Sequence, residues 1–150
     1  LQVAASLITT KYLLPEIRER NGAYGSSAIL SDDGFFCLSS YRDPRRLETV
    51  KYFKELMSVF QNPMHDINEE DLCNAKLRTI QSIDKPKSAN NIGMPLFLRG
   101  ITIESESLYR RAVLSVTKEE MLDCMNRQLS NASYSNCIIG SGNSNIKENQ

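Results

Sequence analysis

The spacing of hydrophobic residues changes several times along the 150-residue chain, and each change marks an element. Leu1 to Leu14 is rich in Leu, Ile and Ala and reads as a mostly buried helix. Pro15 cannot continue that helix without losing a hydrogen bond, and it biases Leu14 away from helical geometry, so a break or kink is predicted there. Ala23 to Leu30 and Phe35 to Tyr41 read as two strands, with "SDDG" between them supplying the Asp-Gly chemistry of a β-hairpin turn.

Asp43-Pro44 opens a second helix, with Asp as N-cap and Pro in the first turn. Leu47, Val50, Phe53, Met57 and Phe60 recur in it at helical spacing as far as Asn62-Pro63. A third helix starts at Asn68 on the acidic turn Glu69, Glu70 and Asp71, which suits the helix dipole. It continues through Leu72, Leu77, Ile80 and Ile83 to Lys85-Pro86. Pro95 to Leu114 reads as a fourth helix weakened by Gly100, and Thr117 to Glu120 is a capping box opening a fifth, which ends near Leu129. "NCIIG" reads as a short closing strand, and residues 141–150 as a polar, disordered tail.

The order helix, hairpin, four helices, strand predicts an α+β two-layer sandwich of antiparallel sheet and helices over residues 1–140. A hairpin and one short strand make a thin sheet for so many helices. A missing upstream portion that supplies further strands would explain it, and the absence of a methionine at Leu1 agrees with a piece of a longer polypeptide. The thin sheet also predicts an unpaired edge, through which the isolated chain would self-associate.

Composition narrows the function classes. Hydrophobic residues make up 41% and charged residues 24%, as in a globular domain. Formal net charge is zero, so no basic excess exists to hold a nucleic acid or an anionic membrane, and no apolar run approaches membrane-spanning length. Neither partner is expected. Cys37, Cys73, Cys124 and Cys137 show no C-x-x-C pairing; Cys37 and Cys137 lie in strand-like runs and read as buried free thiols, pointing to a reducing compartment. The sequon Asn131-Ala132-Ser133 is a weak pattern.

Catalytic chemistry can be tested by counting. A zinc hydrolase needs three protein ligands, usually including two histidines, and the chain has only His65, in a loop. No nucleophile motif surrounds that histidine. Glu119-Glu120 and Glu69-Glu70-Asp71 are explained by capping, and Arg110-Arg111 and Arg45-Arg46 by solvated helix faces.

One stretch resists such explanations. In "EIRERNGAYGSSAIL", the residues Gly22, Ala23, Gly25, Ser26 and Ser27 are poor strand formers that give up packing. Small residues in a strand mark the close approach of another backbone or of a ligand. A helix packed tightly across the strand would account for them, and an exposed helix end would account for Arg18, Glu19 and Arg20. The combination of an arginine, a short turn and a tyrosine adds a second reading. A guanidinium fork and a phenol hydroxyl could together hold a peptide carbonyl or an anion.

"EIRERNGAYGSSAILSDDGFFCLSSYRDP" resembles the C-terminal domain of the presequence-protease branch of the pitrilysin/insulinase metallopeptidases, which includes falcilysin-like proteases. Members read close to I-R-E-K-G-G-A-Y-G, then a Gly-rich hairpin, then F-x-x-Y-S-Y-R-D-P. "FLRGIT", "LSVTKEEM" and "CIIG" agree further, so the resemblance extends to about Gly140. It implies clamshell enzymes of two halves, each of two α+β domains, with catalytic zinc held by an inverted H-x-x-E-H motif in the N-terminal half. That motif is absent here.

The resemblance therefore implies most of a last domain that binds no zinc itself, whose partners are the N-terminal half of the same polypeptide and peptide substrates. By spacing, Arg18 and Tyr24 match the family's arginine and tyrosine that reach across the closed chamber to the substrate backbone and tetrahedral intermediate. Gly22, Ala23 and Gly25 would keep the strand slim beside the bound peptide. Two departures stand out: Asn21 replaces a glycine, in a turn where Asn tolerates left-handed geometry, and Ser26 and Ser27 replace two more. Arg42 in "SYRDP" also matches, with structural pairing as good an explanation as function. The implied activity is degradation of unstructured oligopeptides, absent from the isolated fragment. The alternatives are a non-catalytic homologue serving assembly or peptide binding, and an independent interaction domain. Compartment stays open, since relatives serve mitochondria, plastids and vacuoles.

Overall fold

The computed structural model describes residues 1–59, 66–86, 88–130 and 132–140. His65, Phe60, the sequon residue Asn131 and the polar tail 141–150 lie outside the described residues. The fold is α+β: among the described residues, six α-helices and a run of π-type turns accompany one two-stranded antiparallel sheet.

The N-terminal helix is the centre of the core. Gln2–Leu7 (α1) continues through Ile8, still in right-handed helical geometry, into the π segment Ile8–Arg20. The break predicted at Pro15 does not occur, because Pro15 lies inside this π segment. An α-turn would press the proline ring against the carbonyl four residues back. Bonding five residues back widens the turn, as in the bond from the Asn21 N–H to the Glu16 carbonyl (3.1 Å). Leu7, Ile8, Leu13 and Ile17 are completely buried along this length.

Three layers of contact surround the helix. α1 packs on α3 (Glu69–Ile83) and α6 (Lys118–Leu129), and the π segment packs on strand β1 (Gly25–Leu30). Leu72, Ala75, Thr79 and Ile80 form the inner face of α3, and Met121 and Met125 that of α6. Ser6 Oγ and Thr79 Oγ1, 2.9 Å apart, tie α1 to α3 with a hydrogen bond. Strand β2 (Phe36–Tyr41) pairs with β1 in the register Gly25↔Tyr41 to Leu30↔Phe36. Both strands begin a residue or two later than expected, because the turn residues Gly22 to Tyr24 and Phe35 belong to the connections.

Several sequence expectations are corrected. The helix over Pro95 to Leu114 divides at Gly100, whose left-handed φ of +65° ends α4 (Met94–Arg99). Thr102 then caps α5 (Ile103–Ser115). "NCIIG" forms no strand: residues 132–140 are irregular, with Ile139 94% exposed. It pairs with neither described strand; instead Lys54 lies over the Tyr134 ring and Arg46 abuts Gly140. Cys37 and Cys137 are exposed free thiols, not buried ones, since Cys37 points off the outer face of β2. In α2 (Arg46–Val59) the inner positions are Thr49 and Leu56, whereas Leu47 is exposed.

Helix α3 carries a reciprocal cap. The Asp71 N–H donates to Asn68 Oδ1 (2.8 Å) and the Asn68 N–H to Asp71 Oδ2 (3.1 Å). Lys11 pairs with the same carboxylate and also donates to the Asp66 carbonyl, clamping the central helix to the start of α3. Burial raises the Asp71 pKa, but the hydrogen bonds from Lys11 and Asn68 and the Lys11 charge outweigh it, so the balance falls below 3.8. A depressed carboxylate pKa contributes stability above the unfolded value and loses it as pH falls through the folded value. Thermal melts should therefore show Asn68→Ala costing about 1 kcal/mol at neutral pH, and Asp71→Asn flattening the loss of stability below about pH 4. Superimposable acid limbs for Asp71→Asn and wild type would refute the clamp.

Candidate functional site

The turn from the central helix into β1 sets the site. Asn21 stays right-handed (φ −96°), and the left-handed residue is Gly22 at +77°. The Asn-for-glycine departure therefore falls where no glycine is required. Gly22 lets the chain double back so that the Ala23 N–H donates to the Ile17 carbonyl (3.1 Å), sealing the helix end. Ala23 is buried in the core, and Tyr24 emerges from it 68% exposed.

Arg18 and Arg20 stand on the last turns of the helix, both exposed. Arg20 is committed to a 2.7 Å ion pair with Glu16. Arg18 makes no hydrogen bond or ion pair with another described residue. Of the two arginines, only Arg18 has its donors uncommitted.

The small residues of β1 divide between two faces. Ser26 and Ala28 are buried toward the central helix, as the tight-packing reading requires. Thr9 fastens this seam: its hydroxyl accepts from the Ala28 N–H (2.9 Å) and donates to the Ala5 carbonyl (2.9 Å). Ser26 Oγ reaches across to the Ser39 carbonyl at 2.8 Å. Gly25 lies on the other face, where a Cβ would meet nothing within 4 Å. Gly22 is exposed, with Pro44 as its neighbour at 4.0 Å from such a Cβ.

Beside Tyr24 the hairpin places two residues. The Tyr24 N–H donates to the Tyr41 carbonyl (3.1 Å), and the two rings meet edge to face with centroids 5.9 Å apart. Arg42 covers both, its guanidinium carbon 5.6 Å from the Tyr24 centroid and 5.4 Å from that of Tyr41. Arg42 also has a left-handed φ of +48°, alone among the described residues other than glycine. That geometry costs about 1–2 kcal/mol. Two exposed cation–π contacts at about 0.5–1 kcal/mol each are enough to offset it. Sequence reasoning missed Tyr41 altogether, although the antiparallel register of the hairpin carried the signal.

Among the described residues, no group of three His, Cys, Asp or Glu side chains could hold a metal ion, so a zinc site does not fit them. A cleft of about 330 Å³ lies at the opposite end of the hairpin, between Leu30 to Asp32 and Thr79, and touches none of Arg18, Gly22, Ala23, Tyr24 or Gly25. No helix among the described residues is long and apolar enough to cross a membrane.

Comparison with known proteins decides the family, since PreP C-terminal domains match residues 1–138. The chain belongs to the PreP C-terminal domain family. Mitochondrial presequence protease of Drosophila melanogaster is 38% identical over 149 residues, 98% of this chain and 14% of that protein. Those of Xenopus laevis and Mus musculus are 34% and 32% identical over 148 residues, 97% of the chain and 14% of each relative. The chain thus spans about one-seventh of these relatives, and the resemblance first seen in the hairpin extends to the other PreP C-terminal elements.

The two faces of β1 give opposite expectations for stability. Thr9→Val keeps the shape but leaves the Ala28 N–H unsatisfied and should cost about 1–3 kcal/mol in denaturant unfolding. Gly25→Ala should stay within about 0.5 kcal/mol of wild type. A neutral Thr9→Val, or a Gly25→Ala as damaging as it, would contradict this division.

Proposed function

We propose that the chain is the C-terminal, non-zinc-binding part of a zinc metallo-endopeptidase that degrades unstructured oligopeptides in a closed chamber. The observation that carries the reading is the pair Arg18 and Tyr24. One is a guanidinium with no partner among the described residues and the other an exposed phenol just ahead of the strand, at the two positions that by spacing resemble the family motif. Donors fixed on rigid elements and aimed at a developing oxyanion need no reorganisation when the substrate carbonyl becomes tetrahedral. The helix end and the hairpin supply that rigidity. Gly22 and Gly25 leave room for the peptide backbone, while Ala23 holds the strand from the core side.

Zinc, and the water it activates, would come from the N-terminal half of the same polypeptide, so the isolated chain is inactive. The surface agrees with such a partner. All of α4 is free of buried residues although it carries Met94, Leu96, Phe97 and Leu98, and Phe97 is 84% exposed. Apolar surface of this kind marks a contact face. In the isolated chain, this face and the open edge of the sheet would instead drive self-association, read as light scattering that rises with concentration. The names of the relatives favour a mitochondrial compartment.

In the full-length polypeptide, Arg18→Ala and Tyr24→Phe should each lower kcat for peptide hydrolysis by about 10²–10³-fold. Zinc content, read by elemental analysis, should not change. Wild-type turnover in both variants would overturn the assignment.

A further inference from the structure

We propose that Arg42 is a positioning residue for Tyr24: its guanidinium holds the exposed phenol ring in the orientation in which the hydroxyl meets the substrate. The proposal rests on the role given to Tyr24 above and adds the means by which that role is met. Tyr24 is mostly exposed and follows a turn, so the core does not fix its side chain. Its described ring contacts are Tyr41, edge-on at 5.9 Å, and Arg42, whose guanidinium carbon lies 5.6 Å from the ring centre. Arg42 also lies 5.4 Å from Tyr41, so one cation spans both rings and joins them into a single unit.

Two further observations favour positioning over a simple surface contact. Arg42 has no carboxylate partner among the described residues, unlike Arg20, Arg45, Arg99, Arg110 and Arg127, each of which pairs with an acid. Its backbone is left-handed, a conformation that glycine adopts without penalty. An arginine there works against local backbone preference, and the return visible in the structure is the cation–π contact with the two tyrosines.

That conflict supplies the test. In the full-length polypeptide, Arg42→Gly relieves the backbone and removes the cation, so the thermal midpoint should hold or rise while kcat falls roughly 10-fold. KM should change little. Arg42→Lys, which keeps the charge but loses the planar guanidinium, should recover part of the loss. The double variant Arg42→Gly/Tyr24→Phe should be no slower than Tyr24→Phe alone, because a residue acting through Tyr24 has nothing left to orient. In the full-length polypeptide labelled at tyrosine, NMR should show one dominant Tyr24 χ1 rotamer in wild type and averaging in Arg42→Gly.

Multiplicative losses in the double variant, or an unchanged rotamer distribution, would overturn the proposal. So would wild-type kcat in Arg42→Gly. If Tyr24→Phe itself leaves turnover untouched, the functional reading fails instead, and the rotamer measurement still decides whether Arg42 orders the ring.

Discussion

The structure depends on one close contact, that between the buried face of the N-terminal helix and the strand laid across it. The Thr9 hydroxyl accepts the Ala28 N–H from β1 while donating back to its own helix at Ala5. A strand held this close to a helix cannot carry large side chains on its inner face, and β1 presents Ser26 and Ala28 there. The same closeness demands an abrupt exit from the helix, which Gly22 supplies through its left-handed backbone and the Ala23 N–H completes on the Ile17 carbonyl. Arg18 and Tyr24 stand on either side of that exit. Their placement follows from how the helix ends.

The outer surface follows a different logic. Gly25 faces open space, Arg18 has no partner among the described residues, and the Tyr24 ring touches Arg42 and Tyr41. None of these features adds to the core, and Arg42 works against its own backbone. Local choices that disagree with stability tend to gather where a protein binds or reacts. Here they gather at one end of one hairpin, away from the cleft beside the turn at the other end.

Much of this was legible in the residues. The capping signals at Asn68 and Thr117 located α3 and α6, because a cap is a local hydrogen-bond pattern that its own residues complete. Pro15 misled because it was judged against α-helical geometry, and the chain escapes the clash by widening its turns. "NCIIG" misled because a strand exists only with a partner, and its own residues cannot supply one. The small residues of β1 were seen, but their division into a packing face and an open face appears only with the helix in place. Tyr41 was overlooked because its meaning comes from the register, across the hairpin from Gly25.

The central claim is that Arg18 and Tyr24 are half of an active site completed by other parts of a longer polypeptide. The most direct measurement is a structure of the full-length protein, closed on a bound peptide. The account predicts the Arg18 guanidinium and the Tyr24 hydroxyl within about 3 Å of the carbonyl oxygens flanking the scissile bond, with Arg42 still over the Tyr24 ring. A peptide bound in the closed chamber with both side chains turned away from it would contradict the account.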